Sequence, residues 1–299
     1  MKRMIAAAVA AGLLASSAQA QDVDVFRPSS VWAADYGDDY CRLVREFSDG
    51  EDTINLVFQR IQPGPDTQLL LIGNSLRTFR GANQIGWQFL PNDAERRSNY
   101  LRAETGDGQQ YLRMDNVFLA RFAPPAPGTP FGAPQPYDRA AEQATSKGYT
   151  GLSVTTGLTS PVRIETGALD APIAALQACA DDLLQTWGLD PNKHKSLTAI
   201  PIPQPPPDGI LPAGTIPFSE FRKFAGGGNQ VRLMLDAGGK PTACHIHSPT
   251  LNEALNTRIC NLLMERAVFT PAKDASDQPL ASYWLGSPMA FGPPPTGRR

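Results

Sequence analysis

His245 and His247 are the residues most suggestive of chemistry. They stand two positions apart in an alternating segment, and on a strand this spacing puts both imidazoles on one face, as in a metal-binding pair. Cys244 faces the other way and cannot join them. The only further histidine, His194, lies in a different region. With three histidines in the chain, a Ser-His or Cys-His catalyst has few places to be built. The plainer expectation is two surface histidines opposite a core face.

Three other groups invite a chemical reading. Asp35, Asp38 and Asp39, beside Tyr36 and Tyr40, could hold a cation, but they lack EF-hand spacing and read as a solvated loop. Asp181 and Asp182 could be paired carboxylates, yet they follow Cys179 on what reads as the polar face of a helix. Gly226, Gly227 and Gly228 follow Lys223 and Phe224, but the G-K-[ST] ending of a phosphate loop is missing. No G-x-S-x-G or H-E-x-x-H motif occurs. A non-enzymatic chain with no cofactor and no metal is therefore expected.

The elements that must position these groups change period along the chain. Residues from 21 to about 120 read mostly as strands. Thr53 to Ile61 and Gln68 to Ile72 flank the turn Pro63-Gly64-Pro65-Asp66. Ile85 to Leu90 alternates, and Tyr100 to Glu104 and Tyr111 to Met114 flank a Gly-containing hairpin loop. Gly151 to Thr156 and Pro161 to Glu165 add short strands. Ile173, Leu176, Ala180, Leu183, Leu184 and Trp187 then recur at helical spacing. Asp170 is the expected N-cap and Pro172 sits in the first turn. Cys179 is placed to staple this helix to the segment around Cys41.

Further on, Val231, Leu233 and Leu235 alternate with Arg232, Met234 and Asp236. Gly238-Gly239 turns the chain into Thr242 to His247. Thr250 and Glu253 form a capping box, and Leu251, Leu255, Ile259 and Leu262 form a helical stripe flanked by Cys260. Leu280 to Phe291 reads as a closing strand, interrupted near Gly286 and Pro288. The expected fold is α+β: a mainly-β N-terminal domain with one covering helix, then a small β-β-α-β C-terminal domain.

The 299 residues suffice for two cores. Lys2 and Arg3, the apolar run Met4 to Ala15 and Ala18-Gln19-Ala20 read as a secretory signal peptide over 1–20, removed on export. No later apolar run reaches the ~20 residues that span a bilayer, so no membrane anchor is expected after cleavage. Prolines gather at Pro124 to Pro136 and at Pro201 to Pro217, giving expected units of 21–195, a proline-rich linker 196–217, a domain 218–292 and a tail 293–299. A net charge of −2 provides no basic field for nucleic acid. Four cysteines in an oxidising compartment allow three connectivities. Pairing within each unit, Cys41 with Cys179 and Cys244 with Cys260, is favoured by the proline partition.

Residues of about 215–292 resemble the C-terminal domain of the TonB family. The likeness is carried by the strand ending at Asp236, the turn Gly238-Gly239-Lys240 and the strand bearing Cys244. It continues through the capped helix bearing Cys260, the run Arg266-Ala267-Val268-Phe269-Thr270-Pro271-Ala272 and the closing strand to Phe291. The resemblance implies pairing between an edge strand, here Tyr283, Trp284 and Leu285, and an extended segment of an outer-membrane or other envelope protein. The expectation is a periplasmic, non-enzymatic binding protein linked to outer-membrane transport through β-strand pairing. The alternative is a secreted enzyme or ligand-binding protein with its site in the β-rich N-terminal domain.

Overall fold

A computed structural model describes residues 23–120, 128–129, 133–134, 137–204, 210–211, 214–215, 230–247 and 253–286. The signal segment 1–20, Gly226 to Gly228, Thr250, Leu251 and the tail 293–299 lie outside the described residues.

The chain is mainly β. In order it forms β1 (Asp24–Pro28), β2 (Ala33–Tyr36), β3 (Cys41–Ser48), β4 (Thr53–Arg60), β5 (Thr67–Ile72), β6 (Gln84–Leu90), β7 (Arg96–Asn99), β8 (Leu101–Glu104) and β9 (Gln110–Val117). Next come α1 (Arg139–Lys147), β10 (Gly151–Thr156), β11 (Val162–Ile164), α2 (Asp170–Thr186) and α3 (Pro191–His194). The rest is β12 (Ile202–Pro203), β13 (Gln230–Leu235), β14 (Pro241–His247), α4 (Glu253–Arg266), β15 (Phe269–Thr270), β16 (Ala272–Lys273), β17 (Pro279–Leu280) and β18 (Ser282–Gly286).

The first eleven strands make one sheet in the order β7-β6-β10-β11-β1-β3-β4-β5-β9-β8, with β2 added beside β3. All pairs are antiparallel except β1 with β11. The two ends of this path, β7 and β8, are separated in sequence by Tyr100 alone, so the sheet must curl until its ends nearly meet. Arg96 on β7 ties that seam by donating from Nη1 to the Phe118 carbonyl at 2.6 Å. Inside, alternating residues such as Leu43 and Phe47, Ile54 and Leu56, and Trp87 and Phe89 form one fully buried core. Phe89 stacks on Tyr149 with ring centroids 4.4 Å apart.

Two helices, rather than the single one expected, pack beside this sheet. α2 turns Ile173, Leu176 and Leu183 into the core and is stapled to β3 by the Cys41–Cys179 disulfide. Its N-cap is Leu169, with no side-chain hydrogen bond; Asp170 is the first helical residue and contributes through its charge near the helix N-terminus. α1 is capped by Asp138, which accepts from the Ala141 amide. Hydrophobic periodicity cannot reveal α1, because the residues it buries are Glu142 and Ser146. Glu142 meets the guanidinium of Arg60 at 2.6 Å, with both side chains almost wholly buried. Tyr137 Oη accepts from Arg60 Nη1 and donates to Glu142 Oε2, each at 2.7 Å, and Gln177 Nε2 donates to the same carboxylate at 2.8 Å. The ion pair is therefore enclosed in a satisfied network linking sheet, α1 and α2.

The later strands form a three-stranded antiparallel sheet, β14-β13-β18, with α4 on one face. Val231, Leu233 and Ile246 meet Leu255, Ile259 and Leu263 of α4, with Trp284 packed at the margin. Leu262, expected in the helical stripe, is only half-buried. The Cys244–Cys260 disulfide joins β14 to α4. The proline-rich stretch is more than a spacer. β12 pairs with β15, the Thr198 amide donates to the Lys273 carbonyl, and Ile210 and Leu211 enter the second core. Prolines there remove amide donors, and the remaining amides, such as that of Gln204 donating to Val268, make the pairing.

Candidate functional site

The strand expected to meet a partner is β18. It pairs with β13 in the register Leu233 with Trp284 and Met234 with Tyr283, and has no second strand partner among the described residues. Alternation sends its side chains to opposite faces. Trp284 packs toward α4, with its ring 5.7 Å from that of Phe269. Tyr283 meets Trp187 edge-to-face at 5.0 Å and lies against His194. Burial raises the Tyr283 phenol well above the ordinary tyrosine range. Both aromatic side chains are thus half-buried and engaged by neighbours within the chain.

The sheet face opposite α4 is polar in sequence, and Arg232, His245, His247 and Tyr283 occupy it. It is not a solvated surface. Arg232 is 8% exposed, its guanidinium lies 4.1 Å above the Trp187 ring, and its Nη1 is 2.6 Å from Asp39 Oδ1. His245 Nε2 is 2.8 Å from Asp39 Oδ2. Trp187 Nε1 donates to the Asp38 carbonyl at 3.0 Å, and His194 Nε2 lies 3.1 Å from Ser282 Oγ. This face of the three-stranded sheet is therefore docked on the β2–β3 turn and the end of α2.

Beside this contact is a cleft of ≈ 670 Å³. One side is the turn from Tyr36 to Tyr40, another is the end of β14 with His245 and His247, and the floor is the outer face of the large sheet. The floor is a ladder of polar residues on neighbouring strands. Arg42 Nε donates to Gln59 Oε1 at 2.5 Å, Gln59 Nε2 to Gln68 Oε1 at 2.5 Å, and Gln68 Nε2 to Asp115 Oδ1 at 2.9 Å. Asp115 also meets Arg113 Nε at 3.1 Å. The ladder follows from register: Arg42 opposes Gln59, and Gln59 opposes Gln68. The Arg42 guanidinium lies 3.9 Å from the Tyr40 ring centroid.

Burial dominates the local electrostatics. It lowers His245, which Asp39 partly opposes, and pushes His247 down to about 4 with help from Arg232 and His245. Both imidazoles are therefore neutral at pH 7. Their ring centroids are 5.1 Å apart, and among the described residues His247 Nε2 has no hydrogen-bond partner. No group of three or more His, Cys, Asp or Glu side chains is arranged to hold a metal among the described residues.

The structure brings together residues the sequence leaves apart. Asp39 is joined to Arg232 and His245, while Asp35 and Asp38 remain exposed. Asp181 accepts ion pairs from Arg139 at 2.7 Å and Lys195 at 2.8 Å, and Asp182 is exposed. Arg42, Arg232 and Trp187 were not legible as site residues. Arg232 sits at a position in β13 whose alternation points to solvent, and Trp187 ends a helical stripe that reads as core. The comparisons give this geometry no precedent: neither family models, nor curated proteins, nor solved structures match the chain.

Two disulfides fit a secreted or periplasmic protein. Among the described residues, no helix is long and apolar enough to cross a membrane.

Proposed function

We propose that the chain is a non-enzymatic binding protein of the bacterial periplasm, whose C-terminal unit works as a TonB-like module that captures an extended segment of an envelope protein. The observation that carries this reading is β18. Its backbone is held by β13 on one side, and its aromatic side chains are anchored on both faces, Trp284 beside Phe269 and Tyr283 beside Trp187. A strand fixed in this way, with its other edge unpaired among the described residues, offers that edge without further ordering cost, and backbone hydrogen bonds to an incoming strand supply the affinity. Residues 293–299 and the signal segment have no part in this proposal. Trp284 packs β18 against the core beneath α4, and the Cys244–Cys260 bond ties α4 to the far strand β14 of the same sheet.

The test is a photo-crosslinking residue placed at Leu285 of the exported protein, with a control on the outer side of α4. The expected result is crosslinks from position 285 to one extended segment of an envelope protein, with loss of those crosslinks when the same probe is carried by a Ser282→Pro variant that retains both disulfides. Crosslinks of equal strength from α4, or none from position 285, would refute strand capture.

A further inference from the structure

The cleft between the large sheet and β14 is built around a cation with spare binding capacity. Arg42 is half-buried. Its Nε is spent on Gln59, and its plane is fixed over the Tyr40 ring. Its two terminal nitrogens have no acceptor among the described residues, and no carboxylate there forms an ion pair with it. The other charges of the cleft are largely balanced: Asp39 by Arg232, with neutral His245 beside it, and Arg113 by Asp115. His247 is 8% exposed and lines the cleft as a neutral ring with an unpartnered Nε2. Beside these polar groups, Tyr36 and Ile61 line the cleft, Tyr36 with 55% of its surface exposed.

A guanidinium immobilised through Nε and its π-face offers one N–H from each terminal nitrogen as a fork. A planar carboxylate accepts such a fork in parallel, which fixes orientation as well as charge. The Asp38 carboxylate, also on the cleft wall and unpaired among the described residues, adds a negative charge that disfavours a dianion. We propose that this cleft binds a small organic carboxylate, with the carboxylate on the free nitrogens of Arg42 and the apolar body against Tyr36 and Ile61. The site lies apart from the β18 edge and does not depend on strand capture by it.

The test is titration calorimetry at pH 7 on the full exported protein, using sodium benzoate and then inorganic phosphate as probes. Benzoate is expected to bind saturably with a Kd of about 1 mM or tighter. The Arg42→Gln variant should lose about tenfold or more in affinity, with Arg42→Lys between it and wild type because a point charge lacks the fork. Unchanged melting temperature shows that the variants fold. Asp38→Asn serves as an independent check and should tighten benzoate and improve phosphate binding. Absence of saturable benzoate binding, equal affinity in Arg42→Gln, or phosphate binding as tight as benzoate would each overturn the proposal.

Discussion

Asp39 Oδ1 lies 2.6 Å from Arg232 Nη1, a contact between residues 193 positions apart in the chain. It joins the β2–β3 turn of the large sheet to the middle strand of the three-stranded one. Arg232 is nearly buried, with one face on Trp187, so its charge relies on Asp39. Removing the carboxylate leaves a desolvated cation, which costs more than the pair itself contributes.

Asp39→Ala should therefore lower unfolding stability by about 1–3 kcal/mol, the lower end reflecting partial exposure of the aspartate. Asp39→Ala combined with Arg232→Met should recover part of that loss, because the orphaned charge is gone. Urea unfolding of the two single variants and the double variant measures the coupling. Additive losses would show that the pair does not connect the two sheets energetically.

Acid should act on two groups in opposite directions. His247 is pushed down to about 4, so between about pH 6.5 and 4 the unfolded chain binds a proton that the folded chain refuses. That site loses stability as pH falls, by about 3 kcal/mol over the window. Asp66 is raised to about 6, by burial first and by Asp115 second, against an opposing effect of Arg60. Between about pH 4 and 6 the folded chain holds a proton there that the unfolded chain has released, so this site loses stability as pH rises. Relative to wild type, His247→Asn should gain ground as pH falls and Asp66→Asn as pH rises. Urea midpoints at pH 4.5, 5.5 and 7.5 read both slopes; parallel curves for either variant would contradict the assignment.

Glu142 is the acceptor shared by Arg60, Tyr137 and Gln177. Glu142→Ala should cost about 3–5 kcal/mol, as expected for stripping one partner from a buried ion pair. Glu142→Gln should lose less, since the amide keeps an acceptor. Thermal unfolding gives the ranking, and protease sensitivity near Arg139 to Lys147 shows whether α1 is the element released.

Gly239 has φ of 81°, and a Cβ there would run into the carbonyl of Phe269, whose own amide donates to the Gly239 carbonyl at 3.1 Å. Gly239→Ala should cost about 2 kcal/mol or more, from the left-handed backbone and the clash with β15. Gly238→Ala is the control. Its backbone lies outside the left-handed region, and its nearest foreign atom is a carboxylate oxygen of Asp236 at 3.2 Å. Equal losses in both variants would mean that the turn, rather than its contact with β15, sets the effect.

The local signals in the sequence carried far. Strand patterns and turn signals placed β4, β5, β6, β8, β10 and β11 within a residue or two, while β1, β2, β3 and β7 had no individual expectation, and helical spacing placed α2. The proline partition favoured the two cysteine pairs that the structure contains. Each of these rests on neighbours in sequence, or on apolar residues that must face a core whichever core it is. What hydrophobic periodicity could not register was polar burial. α1 faces inward through Glu142 and Ser146, and its existence depends on Arg60, a residue on a strand far upstream. Arg232 and His247 occupy positions whose alternation reads as solvent-facing, and they are buried because a second sheet face arrives there. The sequence by itself determined the strand-rich character, several of the turns and the inward stripes of α2 and β13. Only the tertiary structure decided that the polar face of β13 and β14 would meet Asp39 and Trp187, and that Arg42 would be left in a cleft with two nitrogens unspent. Charge pairs of this kind are set by distance in space, and no periodicity along the chain encodes them.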